Sequence, residues 1–309
     1  MVVIDNLVNG KRENLAGCPP DTVNLVEADI RDVAAVRPHL QDAHTIYHLA
    51  CLGVRHSVHS PVENHEVNAT ATLHLLGASR DAAVPKFVCV SSSEVYGTAK
   101  WAPMGEEHPT FPSTVYGASK LAAESYARAF YETYGYPTVV VRPFNTYGPR
   151  SHHEGDSGEV IPKFLLRCLA GRPMVVFGDG AQTRDFTYVE DSARGILLAG
   201  TTKAAVGRTI NLGSGSEISI NDLAQAVAAI ARRPAQVTHD DPRPGDVLRL
   251  CADISQAQAC LKYEGRVSLA EGLARLSDWY QSLGTAPEEL LRNDVVRNWI
   301  PEQGSAPSS

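Results

Sequence analysis

The chain holds 309 residues, 43% of them hydrophobic and 20% charged, with a formal net charge of −7. That composition is ordinary for a soluble protein, and the length fits an α/β domain with a smaller partner. An acidic balance without any basic block argues against nucleic acid or an anionic membrane as partner. No apolar run reaches the ~20 residues that span a bilayer, and no signal peptide opens the chain, so a cytoplasmic protein is expected. The six cysteines (Cys18, Cys51, Cys89, Cys168, Cys251, Cys260) show no C-x-x-C pairing. Cys51 and Cys89, in apolar strand-like contexts, read as buried thiols of a reducing compartment.

VVIDN (2–6) reads as a short buried strand ending in an acid, Asp5, with Asn6 beside it; NGKREN follows as a turn. VNLVEADIRD (23–32) is a second strand, ending at Asp29 and Ile30, and TIYHLA (45–50) a third, ending at Leu49 and Ala50. His56, His59 and His65 follow. Their spacing suggests a metal, but no cysteine or carboxylate completes a set, so they read as loop or surface histidines and no metal is expected. A helix begins at Asn68. KFVCV (86–90) is then a strand of β-branched and apolar residues running into the turn Ser91-Ser92-Ser93-Glu94.

The stretch VYGASKLAAESYARAFYETYG (115–135) reads as a helix, with Tyr116 and Lys120 at i and i+4 on one face. A free tyrosine titrates near ~10, so its phenolate is scarce at neutral pH. A neighbouring ammonium favours the charged form and makes the phenolate a usable general base. A serine hydroxyl delivered from the strand end can hold the substrate oxygen while its proton leaves. The combination is machinery for moving a proton off an alcohol.

YPTVVVRPFN (136–145) is a further buried strand, leaving through Asn145-Thr146-Tyr147-Gly148-Pro149-Arg150. His152-His153-Glu154 reads as a solvated loop, because adjacent residues point apart, and Gly155, Asp156, Ser157 and Gly158 as a flexible polar loop before a helix over 160–170. PMVVFGDGAQTRDFTYVED contains a strand and a turn, with a helix starting near Val189. INLGSGSEISINDL (210–223) carries Gly213 and Gly215 but no third glycine at dinucleotide-binding spacing, so it reads as a late strand and helix of a second domain. RPGD (243–246) is a loop, 268–282 an amphipathic helix, and 284–309 a loose tail.

Ser91–Gly97, Tyr116–Lys120 and RPFNTYGPR (Arg142–Arg150) together resemble the extended short-chain dehydrogenase/reductases that remodel nucleotide sugars, over residues 1 to about 282. The resemblance implies a Rossmann-like doubly wound parallel sheet over residues 1–150, a substrate lobe over 151–283 with some exchange of segments, and a tightly held NAD. In that family the sugar C4 hydroxyl is oxidised, the 4-keto intermediate reacts and the hydride returns. Carried over residue by residue, Asp5 and Asn6 meet the adenosine ribose, and Asp29 and Ile30 the adenine. Leu49, Ala50 and Pro143 run beside the cofactor, as do Tyr116 and Lys120, and Asn68 lies near a ribose. Asn145 and Phe177 fall to the substrate, Phe177 flanking its base. Arg184 is expected on phosphate or base, Arg243 on the diphosphate, and Asp246 on sugar or nucleotide hydroxyls. Two guanidiniums are a chemically sensible grip on a diphosphate. The resemblance also implies a homodimer through helices around 61–83 and 114–134.

One departure stands out. The acid closing the second strand of this fold normally follows a glycine-rich turn that cradles the pyrophosphate at a helix N-terminus. Here the first strand, its G-x-x-G-x-x-G loop and the first helix are absent. The expectation is a gap in the sheet and either a sequence starting downstream of its natural start or a chain that has lost ordinary cofactor binding; the intact catalytic residues favour the former.

The turn after the fourth strand narrows the reaction. Related hexose 4,6-dehydratases place Thr-Asp-Glu there, where the two acids handle the C6 hydroxyl and the C5 proton. This chain has Ser92-Ser93-Glu94. A 4-epimerase needs neither acid, so 4-epimerisation comes first, with Tyr116 as base and Ser92 steadying the oxygen. Glu94 keeps open the N-acetylhexosamine dehydratases and the uronate decarboxylases, and a non-catalytic binding remnant is the alternative of another class.

Overall fold

The structure, a computed structural model, describes residues 1–297 except Pro20, Asp156 and Pro244. Strands β1 (Val2–Asp5), β2 (Asn24–Glu27), β3 (Ile46–His48), β4 (Phe87–Val90) and β5 (Thr138–Pro143) come first. After them run β6 (Thr146–Tyr147), β7 (Met174–Phe177), β8 (Thr183–Arg184), β9 (Thr187–Tyr188), β10 (Thr209–Leu212), β11 (Ile218–Ser219) and β12 (Val237–Asp240).

The centre is an all-parallel sheet in the order β10-β5-β4-β3. Parallel strands covered on both faces need apolar side chains at every position, and β4 is buried throughout. Alternation divides its residues between two cores. Phe87 and Cys89 join Leu75, Leu76, Ala127 and Phe130 on one face. Val88 and Val90 join Ile210, Leu212 and Tyr263 on the other. Among the described residues β1 pairs only with β2, and β3 only with β4, so the sheet is interrupted between β1 and β3, where the missing first strand was expected to leave its gap. Ile4 of β1 nevertheless packs against the same core as Ile46 of β3.

The 20-residue helix Val115–Tyr134 has both ends defined by sequence. Thr114 caps its N-terminus by accepting from the Gly117 amide at 3.0 Å. Gly135, at φ 63°, closes it in the left-handed region. Beyond Arg150 a second core forms from the helices Val160–Leu169, Ile220–Ala231 and Leu269–Ser282 with β7, including Phe164, Leu165, Met174, Leu223 and Leu276.

The structure corrects several expectations. The 210–223 stretch does not lie wholly in the second lobe: β10 covers the edge of β5, where Ile210 and Leu212 are fully buried, and only Ile220–Ala231 packs in the later core. His56 and His59 lie on the helix Val54–His59 and His65 ends Pro61–His65, rather than in a loop; among the described residues there is no metal-binding cluster. Asn68 does not begin its helix, but lies in a π-helical stretch, Glu66–Thr70, between Pro61–His65 and Ala71–Asp81. Cys51 is exposed, while Cys89 is buried. His153 is buried against Tyr280 instead of solvated, and Glu154 pairs with Lys11. Asp156 of the expected flexible loop lies outside the described residues. So do positions 298–309 of the expected tail, but its first part is not loose: Leu291 is buried, and Asp294 ion-pairs with Arg167 at 2.5 Å and Lys163 at 3.2 Å. No helix among the described residues is long and apolar enough to cross a membrane.

Candidate active site

Strand β4 delivers the serine turn to the first turn of the helix Val115–Tyr134. Ser92 caps a single 3₁₀ turn, Ser93–Val95, accepting from the Glu94 amide at 3.2 Å. Gly117 makes the approach possible: a Cβ there would lie 2.7 Å from the Glu94 carbonyl oxygen and 2.9 Å from the Pro112 Cβ. Lys120, buried, donates from Nζ to the Val90 carbonyl at 2.5 Å, fastening the helix to the strand end. Beneath the turn, Ser91 donates to Glu124 at 2.7 Å, and Arg142 grips Glu124 through two nitrogens at 2.6 and 2.9 Å. Arg142 also donates to the Tyr96 hydroxyl at 2.7 Å, which in turn donates to Asn211 Oδ1 at 2.7 Å. The turn therefore rests on a fully partnered polar network.

Tyr116, Lys120, Ser92, Ser93 and Glu94 all line one cavity of about 470 Å³, within the range of small-molecule sites. The expected lowering of the Tyr116 pKa is not what this environment produces. Burial pushes the phenol well above its usual value, with Cys51, Glu94 and Glu159 adding to the rise and the Ser92 hydroxyl, within hydrogen-bond reach, opposing it. Desolvation of the phenolate outweighs its favourable neighbours. Burial also raises Glu94; Arg184 opposes the rise and Asp246 reinforces it.

The same cavity is lined by the residues expected on substrate: Asn145, Phe177, Arg184, Arg243 and Asp246. Arg184 donates to Asp246 at 2.6 Å, so one carboxylate oxygen of Asp246 is engaged by the protein rather than left wholly for ligand hydroxyls. The Arg243 guanidinium lies 5.1 Å from the centre of the Phe177 ring, a cation–π geometry. Burial first, then the nearby Arg55, pull Arg243 down to about 10. Arg55 and Arg184 act on it as cations and Asp246 and Glu94 as anions, so it stands in a mixed, charge-rich setting.

The remaining expected cofactor positions divide. Leu49 and Pro143 line the cavity, and Ala50 follows Leu49 out of β3. Asp5, Asn6, Asp29 and Ile30 gather instead at the carboxyl ends of β1 and β2, where open parallel sheets bind ligands. Asn6 donates to Asp29 at 2.9 Å, and Asp5 accepts from the Leu7 amide at 2.7 Å. The other Asp5 oxygen faces Gly10, whose added Cβ would sit 2.6 Å away. Arg31 holds the Asp29 carboxyl well below the usual carboxylate range. Carboxylates and an amide oxygen at these strand ends are hydrogen-bond acceptors, the kind of group that receives hydroxyl and amino donors.

The Asn68 amide is buried and bonds the Leu52 backbone at 2.8 and 2.9 Å, Asn64 at 3.1 Å and Ser119 at 3.3 Å, bracing the chain that leaves β3. The GSGS turn, residues 213–216, does cradle an anion, but an internal one. The buried Asp185 carboxylate accepts from the Ser214 amide and hydroxyl at 2.8 and 2.6 Å, the Gly215 amide at 3.1 Å and the Ala252 amide at 3.1 Å.

Arg55, Glu159, Lys163, Arg167 and Asp294 also line the cavity and were missed. Glu159 could have been found: it stands at the N-cap of Val160–Leu169, where Ser, Thr, Asp or Asn is usual, and its side chain makes no cap.

Residues 3–276 match the GDP-mannose 4,6 dehydratase family. The chain belongs to that family. The UDP-glucose 4-epimerase of Mycolicibacterium smegmatis is 34% identical over 291 residues, covering 91% of each chain. Among solved structures, a Thermotoga maritima UDP-glucose 4-epimerase with UDP-glucose is similar at TM-score 0.86 and 30% identity, over 92% of this chain and 91% of that one. A dTDP-glucose 4,6-dehydratase from Streptomyces venezuelae with NAD bound is similar at TM-score 0.86 and 32% identity, over 91% of this chain and 87% of that one. Both reactions thus occur on this family's fold, and modification of nucleotide sugars is the common theme.

Proposed function

We propose that this protein inverts C4 of a nucleotide-diphosphate sugar by transient oxidation at that carbon, with NAD as cofactor. The reading is carried by one observation: a single cavity is lined both by the tyrosine, lysine and serine of the proton-handling set and by two arginines, one of them beside an aromatic ring. NAD, when bound, supplies a reversible acceptor for the C4 hydride. Asp5, Asn6, Asp29 and Ile30 would hold its adenosine half, and Leu49, Ala50, Pro143, Tyr116 and Lys120 its other half. Tyr116 takes the C4 hydroxyl proton, and Ser92, beside it, steadies the same oxygen. Lys120, one helical turn on, favours the phenolate, while the burial that raises the phenol makes that phenolate a strong base once formed. Arg184 and Arg243 grip the diphosphate, Phe177 flanks the base, and Asn145 and Asp246 meet hydroxyls. Ser93 keeps the turn neutral where a dehydratase has a second acid. A homodimer through the helices of 61–83 and 114–134 is part of the proposal; Val62 and Val115 are exposed there.

Glu94 supports a second reading, dehydration or decarboxylation of the 4-keto sugar, because a buried carboxyl with a raised pKa can donate a proton. The test is turnover of a panel of nucleotide sugars, followed by mass and NMR, with NAD sought in the supernatant of denatured protein. Epimers from a protein that releases NAD support the proposal, with Glu94→Gln leaving the rate within about threefold. A loss above about 100-fold in that variant, with 4-keto sugar accumulating, selects the second reading. Neither released NAD nor any product favours a binding remnant.

A further inference from the structure

Glu159 enters the cavity from the lobe opposite Arg55. Glu159 precedes the helix Val160–Leu169, whereas Arg55 lies on Val54–His59, beside β3. Both side chains line the same cavity. Among the described residues the Glu159 carboxylate has no hydrogen-bond partner; it does not cap its helix, and Arg55 is the one charge that acts on it. Its charge acts on Tyr116, which lines the same cavity. A carboxylate lining a cavity without a protein donor is placed to receive donors from a ligand.

We propose that Glu159 is a specificity determinant of the sugar subsite, accepting hydrogen bonds from hydroxyls of an uncharged hexose and turning away a hexose that carries a carboxylate. This rests on the function proposed above and adds the substrate class. Like charges repel in a desolvated site, so the Glu159 carboxylate disfavours a second carboxylate there. Burial raises Glu159 to about 7, with Arg55 opposing, so the discrimination is strongest in alkaline solution and fades as the group is protonated. The other charged or titratable groups around it are Tyr116 and Tyr280, with Glu94, Lys163 and Arg243 around Arg55. His152, His153 and Glu154 lie on its own loop.

The experiment is calorimetric binding of UDP, UDP-glucose and UDP-glucuronic acid to the whole chain and to Glu159→Gln at pH 6 and pH 8, with dTDP analogues if UDP does not bind. The expected result at pH 8 is a preference for the neutral sugar of at least about tenfold, falling below about threefold in Glu159→Gln, with UDP affinity unchanged within about twofold. Wild-type preference should also fall at pH 6. An unchanged ratio in Glu159→Gln overturns the inference. Should that variant fail to fold, a wild-type ratio that is flat between pH 6 and 8 overturns it as well. Failure to bind either nucleotide overturns the underlying function and this inference with it, and is recognisable because the sugar-free nucleotide is lost too.

Discussion

Tyr116 shows how a site assembled from short motifs can differ electrostatically from its sequence reading. The i, i+4 spacing with Lys120 was visible in the chain, but the ammonium is turned onto the Val90 carbonyl and burial dominates the phenol. Tyr116→Phe keeps the ring and its packing. It is expected to reduce turnover by about 10² to 10⁴ with the melting temperature unchanged; near-normal turnover would remove Tyr116 from the mechanism. Glu124 makes a second residue-scale prediction. Burial raises its pKa, but the Arg142 pair, then Arg128 and Ser91, outweigh burial and the net shift is downward. A depressed folded-state pKa stabilises the protein above the unfolded value, ~4.3, and the contribution is lost as pH falls through the folded value. Arg142→Leu should cost about 3 kcal/mol or more at pH 7 in urea unfolding, and progressively less as pH falls through the folded-state value and Glu124 is protonated. Ser92, Glu94, Tyr116 and Lys120 could be read from the sequence because local spacing carries them. Arg55 and Asp294 could not, since each gains its role only when segments far apart in the chain meet at the cavity.

At the scale of elements, β4 and β5 were legible because continuous apolar runs are what two-sided burial demands. The 210–223 stretch was not, since its strand and its helix belong to different lobes and no local pattern marks the divide. The segment after Ser282 was misread for a related reason. Its polar composition resembles a tail, yet Leu291 and Asp294 anchor it: Gly155 donates to the Asn293 carbonyl at 2.9 Å, and Lys163 to that of Val295 at 2.7 Å. Asp294→Ala leaves Lys163 and Arg167, both largely buried, without their counter-charge. The expected cost is about 2 kcal/mol in urea unfolding. Since all three side chains line the cavity, UDP should bind several-fold more tightly to the variant; weaker binding would show that the segment supports the ligand rather than competing with it.

For the whole molecule, the decisive feature is that the chain leaves the first sheet at β5 and comes back to it. The helix Val189–Thr201 packs on β4 and β5, and β10 completes their sheet, although both follow Arg150 in sequence. The two lobes are therefore laced through one another, which no boundary near residue 150 would suggest. Proteolysis makes this concrete. A protease that nicks the exposed chain at Arg150 should leave two pieces that elute together and retain their circular dichroism, parting only in denaturant. For the same reason residues 1–150 produced alone would present β5 with a naked edge, and should be recovered from inclusion bodies rather than as a freestanding domain.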